Sequence, residues 1–155
     1  MGKTLILGIG NLLLSDDGVG VHFVRRLEET QKLPEDVQVV DGGTAGLDLL
    51  YYLQDISKLI VVDAMQTGGP PGRFRRLTGD QVPAYMALKM SPHEIALPDM
   101  LAAARLRGLY PPEVIIWGVQ PGSLELGVEL SPEVAARLDE LVEKVMGEIE
   151  DLTTP

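Results

Sequence analysis

Two adjacent carboxylates, Asp16 and Asp17, stand just behind a glycine loop, Gly8-Ile9-Gly10, that ends the first apolar run of the chain, Leu5-Ile6-Leu7. A third, Asp63, closes the longer apolar run Leu59-Ile60-Val61-Val62. His93 follows Ser91-Pro92, a pair that opens a helix as N-cap and first helical residue, with Glu94 closing a capping box. In a first helical turn the positive end of the macrodipole disfavours an imidazolium, so the ring stays neutral with a lone pair free. Asp17, Asp63 and His93 would together form an oxygen and nitrogen donor set without sulfur. Such a set suits a divalent ion such as nickel, zinc or manganese, with open positions for a substrate. Each residue also has a structural reading: Asp63 as a cap on its loop or helix, His93 as part of a capping turn, and Asp16 as a cap or loop-shaping residue.

These residues can meet only if the surrounding elements bring three distant stretches to one rim. The pattern predicts a first strand through Leu7 and an amphipathic helix from Gly18 to about Leu33, with Val21, Val24 and Leu27 inward and Arg25, Arg26, Glu28 and Glu29 outward. His22 lies in that helix without a partner at helical spacing and reads as a packed or surface histidine. Val37-Gln38-Val39-Val40 predicts a second strand, followed by Asp41-Gly42-Gly43-Thr44-Ala45-Gly46 and a helix from about Leu47 to Gln54. Gly42 and Gly43 read either as a tight turn with Thr44 as helix N-cap or as a backbone surface that docks an extended peptide. Lys58 to Ala64 is the strongest strand, branched and apolar enough to be buried on both faces. Arg73-Phe74-Arg75-Arg76-Leu77 alternates like an exposed edge strand. Its arginines either steer an acidic partner or guard the edge against aggregation.

The stretch from Gly79 to Met90 carries only a weak helical signal around Val82 to Leu88. A helix then runs from Ser91 to about Arg107 on Ile95, Leu97, Met100, Leu101 and Ala104, with Pro98 tightening or kinking its first turns. Val114 to Val119 is a further buried strand. Ser131-Pro132 starts a last helix whose apolar face is Val134, Leu138, Leu141, Val145 and Ile149, and the tail from about Asp151 to Pro155 is expected to fray. Alternating strands and helices predict one α/β domain over residues 1–155. Its three layers are a largely parallel twisted sheet with helices on both faces. In such a sheet, ligands bind beyond the carboxyl ends of the strands, where Asp17, Asp63 and His93 would converge.

The composition excludes several classes of function. With 45% apolar residues in 155, the chain is long enough to bury one sizeable core. Thirteen basic residues against 23 acidic ones give a net charge of −10, which argues against nucleic acid or an anionic membrane as partner. There is no cysteine, hence no disulfide, thiol nucleophile or thiolate metal site. No basic-then-apolar leader and no apolar run approaching a membrane span is visible, so the expected location is the cytoplasm, without membrane insertion. A dinucleotide fingerprint would need a third glycine where Leu13 stands, and Asp16 and Asp17 would repel the phosphate. Asp41 could imitate the ribose-binding acid, which leaves a nucleotide-binding α/β module as an alternative. No G-K-[ST] follows the glycines, which excludes a P-loop.

Taken in order and spacing, the segments from Gly8 to Gly20, from Asp41 to Gly46, Val62-Asp63-Ala64 and Ser91-Pro92-His93 resemble those of the hydrogenase maturation proteases, over nearly the whole chain. The resemblance implies an aspartic-type endopeptidase. Its substrate would be the nickel-iron hydrogenase large-subunit precursor, which loses a C-terminal extension after nickel insertion. It further implies that Asp17, Asp63 and His93 contact the nickel and carry catalysis, while Gly42, Gly43 and Thr44 recognise the precursor. Many relatives have glutamate at the position of Asp17, so the reach here is shorter by one methylene. The nickel is expected to arrive with the substrate, with other divalent cations able to bind in vitro, and the protease is expected to act as a monomer. No G-x-S-x-G elbow surrounds Ser15. A non-catalytic carrier that checks nickel in the same client is the alternative from another class.

Overall fold

The computed structural model describes residues 2–45, 47–84 and 96–153. Five strands, β1 (Lys3–Ile9), β2 (Val37–Gly43), β3 (Ile56–Ala64), β4 (Phe74–Thr78) and β5 (Glu113–Val119), form one sheet in the order β2-β1-β3-β5-β4. All neighbours are parallel except β4, which runs antiparallel to β5 at the edge. The helices are α1 (Val19–Thr30), α2 (Ala96–Leu106), α3 (Pro132–Ala135) and α4 (Leu138–Thr153), with 3-10 helices at Ser15–Gly18, Leu47–Leu53 and Gly79–Ala84.

The central strands alternate their side chains between two cores, as a pleated strand must. Leu5, Leu7, Leu59, Val61 and Ile116 join Leu49, Leu53, Leu97, Met100 and Ala104 on one face. Ile6, Ile60, Val62, Ile115 and Trp117 join Phe23, Val24, Leu27, Leu141 and Val145 on the other. In-register pairing of Leu5 with Leu59, and of Leu59 with Val114, keeps the two sets in phase across the sheet. Burying each such side chain fully is worth roughly 1.5–3 kcal/mol, so these layers hold the strand ends firmly. This is the expected α/β domain with a helical layer on each face.

Several boundaries differ from the sequence reading. β2 continues through Asp41 and Gly42 to Gly43 because Asp41 and Gly43 still pair with Gly8 and Ile9 across a register shift. α1 stops at Thr30, where Gln31 turns extended. The last helix is two helices. Arg137 N–H bonds to Val134 O in a tight i to i−3 turn, and its guanidinium lies 4.4 Å from the ring centre of Phe74. α4 then carries helical structure to Thr153, beyond the point at which fraying was expected.

From β1 the chain crosses to β2 on one side, whereas β3 leads toward β5 and β4 on the other. The crevice beyond the carboxyl ends of β1 and β3 is therefore the topological switch point of the sheet, where open α/β folds place their ligands.

Candidate active site

Asp17 sits at this switch point, in the 3-10 turn between β1 and α1, and is only 2% exposed. Its backbone N–H bonds to Leu14 O at 3.0 Å, and its Oδ2 accepts the Asn11 N–H at 3.0 Å. Among the described residues nothing donates to its other oxygen. The loop can fold back this tightly because residue 10 is glycine. Its φ is +139°, and a Cβ there would lie 1.9 Å from Asp17 O. A Cβ on Gly8 would lie 2.1 Å from Gly20 O, and one on Gly20 2.3 Å from Val62 O. These glycines press the start of α1 onto β1 and β3, which accounts for them without a pyrophosphate.

The same packing sets the turn that carries Asp17 against the end of β3. Asp63 there is fully buried, pairs with Gly118 of β5, and accepts the Ala64 N–H on Oδ1 at 2.8 Å. The Gly42-Gly43-Thr44 segment belongs to the same rim, since Gly10 N–H bonds to Gly43 O at 2.8 Å. Ala45 N–H closes a turn onto Gly42 O at 2.9 Å, Gly43 has φ +49°, and Thr44 is exposed. The glycines thus make a tight turn, but the 3-10 helix that follows begins only at Leu47, so Thr44 does not stand directly before it. His93 lies outside the described residues, as do Ser91, Pro92 and Glu94. Of the helix they were expected to open, the described part is α2, with Leu97, Met100, Leu101 and Ala104 buried. Among the described residues no three carboxylates or imidazoles cluster as a metal site.

Asp16 has the loop-shaping role. It is fully buried, and its carboxylate accepts the N–H groups of Gly122, Ser123 and Ser131 at 2.7, 3.0 and 2.7 Å and the Ser131 hydroxyl at 2.7 Å. Ser131 keeps the extended backbone of an N-cap, yet its hydroxyl serves Asp16 instead of capping α3. The segment after β5 therefore forms one wall of the rim. The sequence reading missed this, and its only signal was the Ser131-Pro132 pair, which has a simpler use as a helix start.

His22 is half-buried within α1. One ring nitrogen bonds to the backbone of Val128, while Nε2 is buried without a partner among the described residues. Burial, followed by the nearby Arg25, pushes its pKa below the ordinary value. Arg73, just before β4, and Arg75 on it are exposed, and Arg76 is held by the carboxylate of Glu148 on α4.

Two buried carboxylates on one rim, beside an open turn, can ligate a cation or activate water. The family model for hydrogenase maturation proteases matches residues 21–148. The chain belongs to that family. It is 38% identical over 150 residues to the hydrogenase 2 maturation protease of Escherichia coli K12, covering 96% of this chain and 92% of that one. It is 42% identical over 149 residues to the hydrogenase expression/formation protein HupD of Rhodobacter capsulatus, covering 95% and 71%. The solved structure of the hydrogenase maturating endopeptidase HybD from E. coli superposes with a TM-score of 0.89 at 38% identity over 96% of this chain and 93% of that one. As a member of the maturation proteases the chain is a peptidase, and the carrier reading gives way. No helix among the described residues is long and apolar enough to cross a membrane.

Proposed function

We propose that this maturation protease removes the C-terminal extension of a nickel-iron hydrogenase large-subunit precursor once nickel has been inserted, working as a monomer in the cytoplasm. Asp17, Asp63 and His93 complete the coordination of the nickel that the precursor carries, so metal loading is checked and the scissile region anchored at one place. Gly42, Gly43 and Thr44 receive the precursor backbone. Water adds to the scissile carbonyl carbon, the C–N bond breaks, and the leaving amine takes a proton. The water is activated by the substrate's ion or by a carboxylate acting as general base, which gives the aspartic-type character. Another divalent cation can occupy the same donors in vitro.

The observation that carries this reading is the burial of Asp17 and Asp63 at the switch point, with one Asp17 oxygen accepting no hydrogen bond among the described residues. A buried carboxylate with an unused acceptor is poised for a cation. The test is tail release from the precursor by wild-type protein and by Asp17→Asn, Asp63→Asn and His93→Ala. Each amide retains an oxygen for its backbone N–H, so the fold persists while processing is lost. Full processing by any of the three would contradict the assignment of that residue.

A further inference from the structure

The loop after β1 and the segment after β5 are joined by more than Asp16. Ser15 N–H bonds to Gly127 O and Gly127 N–H to Leu13 O, both at 2.9 Å, a short parallel bridge between Leu14 and Gly127. Leu13 beside Leu14, and Leu126 and Val128 beside Gly127, thus lie on two bridged neighbouring segments. They are 60%, 85% and 63% exposed. Isolated exposed aliphatics are ordinary, but three on one bridged pair of segments make a ridge.

The ridge is held rigidly. Ser15 is in the left-handed region at φ 51° and its hydroxyl bonds to Glu125 O at 2.7 Å, while Asp16 fixes both ends of the segment. Backbone strain that persists in a loop is over-determined by its surroundings and clusters at functional positions. Exposed Glu125 and Glu129 flank the apolar residues, on a chain of net charge −10. The ridge is also continuous with the active-site turn, since Leu13 and Asp17 both hang on Asn11: Leu13 N–H bonds to Asn11 Oδ1 at 2.9 Å and Asn11 N–H to Asp17.

We infer that Leu13, Leu126 and Val128 form the docking surface for an extended segment of the precursor that is apolar and carries basic side chains. The glutamates meet the cations, and the ridge takes the apolar residues beside the cleavage site. This rests on the function proposed above. A preformed surface pays little ordering entropy on binding, so its loss weakens capture without altering chemistry.

The experiment is steady-state processing of nickel-loaded precursor by wild type, by the triple variant Leu13→Ser, Leu126→Ser and Val128→Ser, and by Leu106→Ser, which alters a 90% exposed leucine on α2. Matching circular dichroism and melting confirm that each variant is folded. The ridge variant should raise KM about tenfold at unchanged kcat, and Leu106→Ser should change neither. Replacing Glu125 and Glu129 by glutamine should flatten the salt dependence of KM. An unchanged KM in the ridge variant, with wild type active, overturns the docking surface and leaves the protease reading standing. Self-association of wild type that the ridge variant abolishes also overturns it, by making the ridge a contact between copies. Absence of both binding and processing by wild type overturns the two together.

Discussion

The Asp16 carboxylate accepts both the backbone N–H and the hydroxyl of Ser131, each at 2.7 Å, across 115 residues of chain. With Gly122 and Ser123 on the same group, one buried anion fastens the loop after β1 to the segment after β5. Replacing Asp16 by alanine leaves these donors without an acceptor and opens a small cavity. The expected loss is about 3 kcal/mol or more in urea unfolding. Processing should fall with it, because Asp17 is the next residue in the same turn.

Gly10→Ala should separate geometry from chemistry. The substitution removes no reactive group, but its methyl would sit 1.9 Å from Asp17 O on a backbone of φ +139°. The turn must move to make room. A displacement of about 1 Å at a reacting centre costs about a hundredfold in rate, so kcat should drop by that order while a large part of the protein remains folded. Tail release by Gly10→Ala at the wild-type rate would contradict the tight placement of Asp17.

Lys58 enters the sheet at the start of β3 and is only 3% exposed. Its Nζ donates to Glu148 O at 2.6 Å and lies 3.8 Å from Glu113 Oε1. Lys58→Met keeps the aliphatic stem but leaves the Glu148 carbonyl without its donor. A loss of about 1–3 kcal/mol is expected by urea titration, with processing unchanged because this end of the sheet is opposite the active-site rim.

The strands were legible in the sequence where burial on both faces makes a run continuously apolar, as in Leu59 to Val62 and Val114 to Val119. The place of Asp63 at the carboxyl end of β3 was legible because it ends such a run. Asp17 was legible through its glycine loop, although the reason for the glycines, contact with Asp17 O and Val62 O, exists only in three dimensions. Other features depend on distant partners. β2 is extended by pairing of Asp41 and Gly43 with β1, the last helix is broken where Arg137 meets Phe74, and the Ser131 hydroxyl is drawn off its helix by Asp16. Helical periodicity and capping rules see only neighbours within a turn, so none of these could be read along the chain.

His22 gives the fold a pH dependence. Burial, then Arg25, hold its folded pKa below the ordinary 6.5, with the Val128 backbone and Asp16 opposing in part. The unfolded chain therefore takes up the proton first. The neutral ring's contribution to stability is complete above pH 6.5 and is lost as the pH falls through the lower folded value. Thermal melts between about pH 5 and 7 should show Tm falling toward acid, less steeply in His22→Gln than in wild type. Identical slopes would remove His22 from the account.

The central claim is that Asp17 and Asp63 meet a nickel that arrives with the precursor. It is tested most directly by incubating the purified protein with large-subunit precursor, with and without inserted nickel, and following the intact mass of the large subunit. The account predicts loss of the C-terminal extension from the nickel-loaded form alone, abolished by Asp63→Asn. Equal release from nickel-free precursor would contradict it, since cleavage would then proceed without the ion that these carboxylates are proposed to recognise.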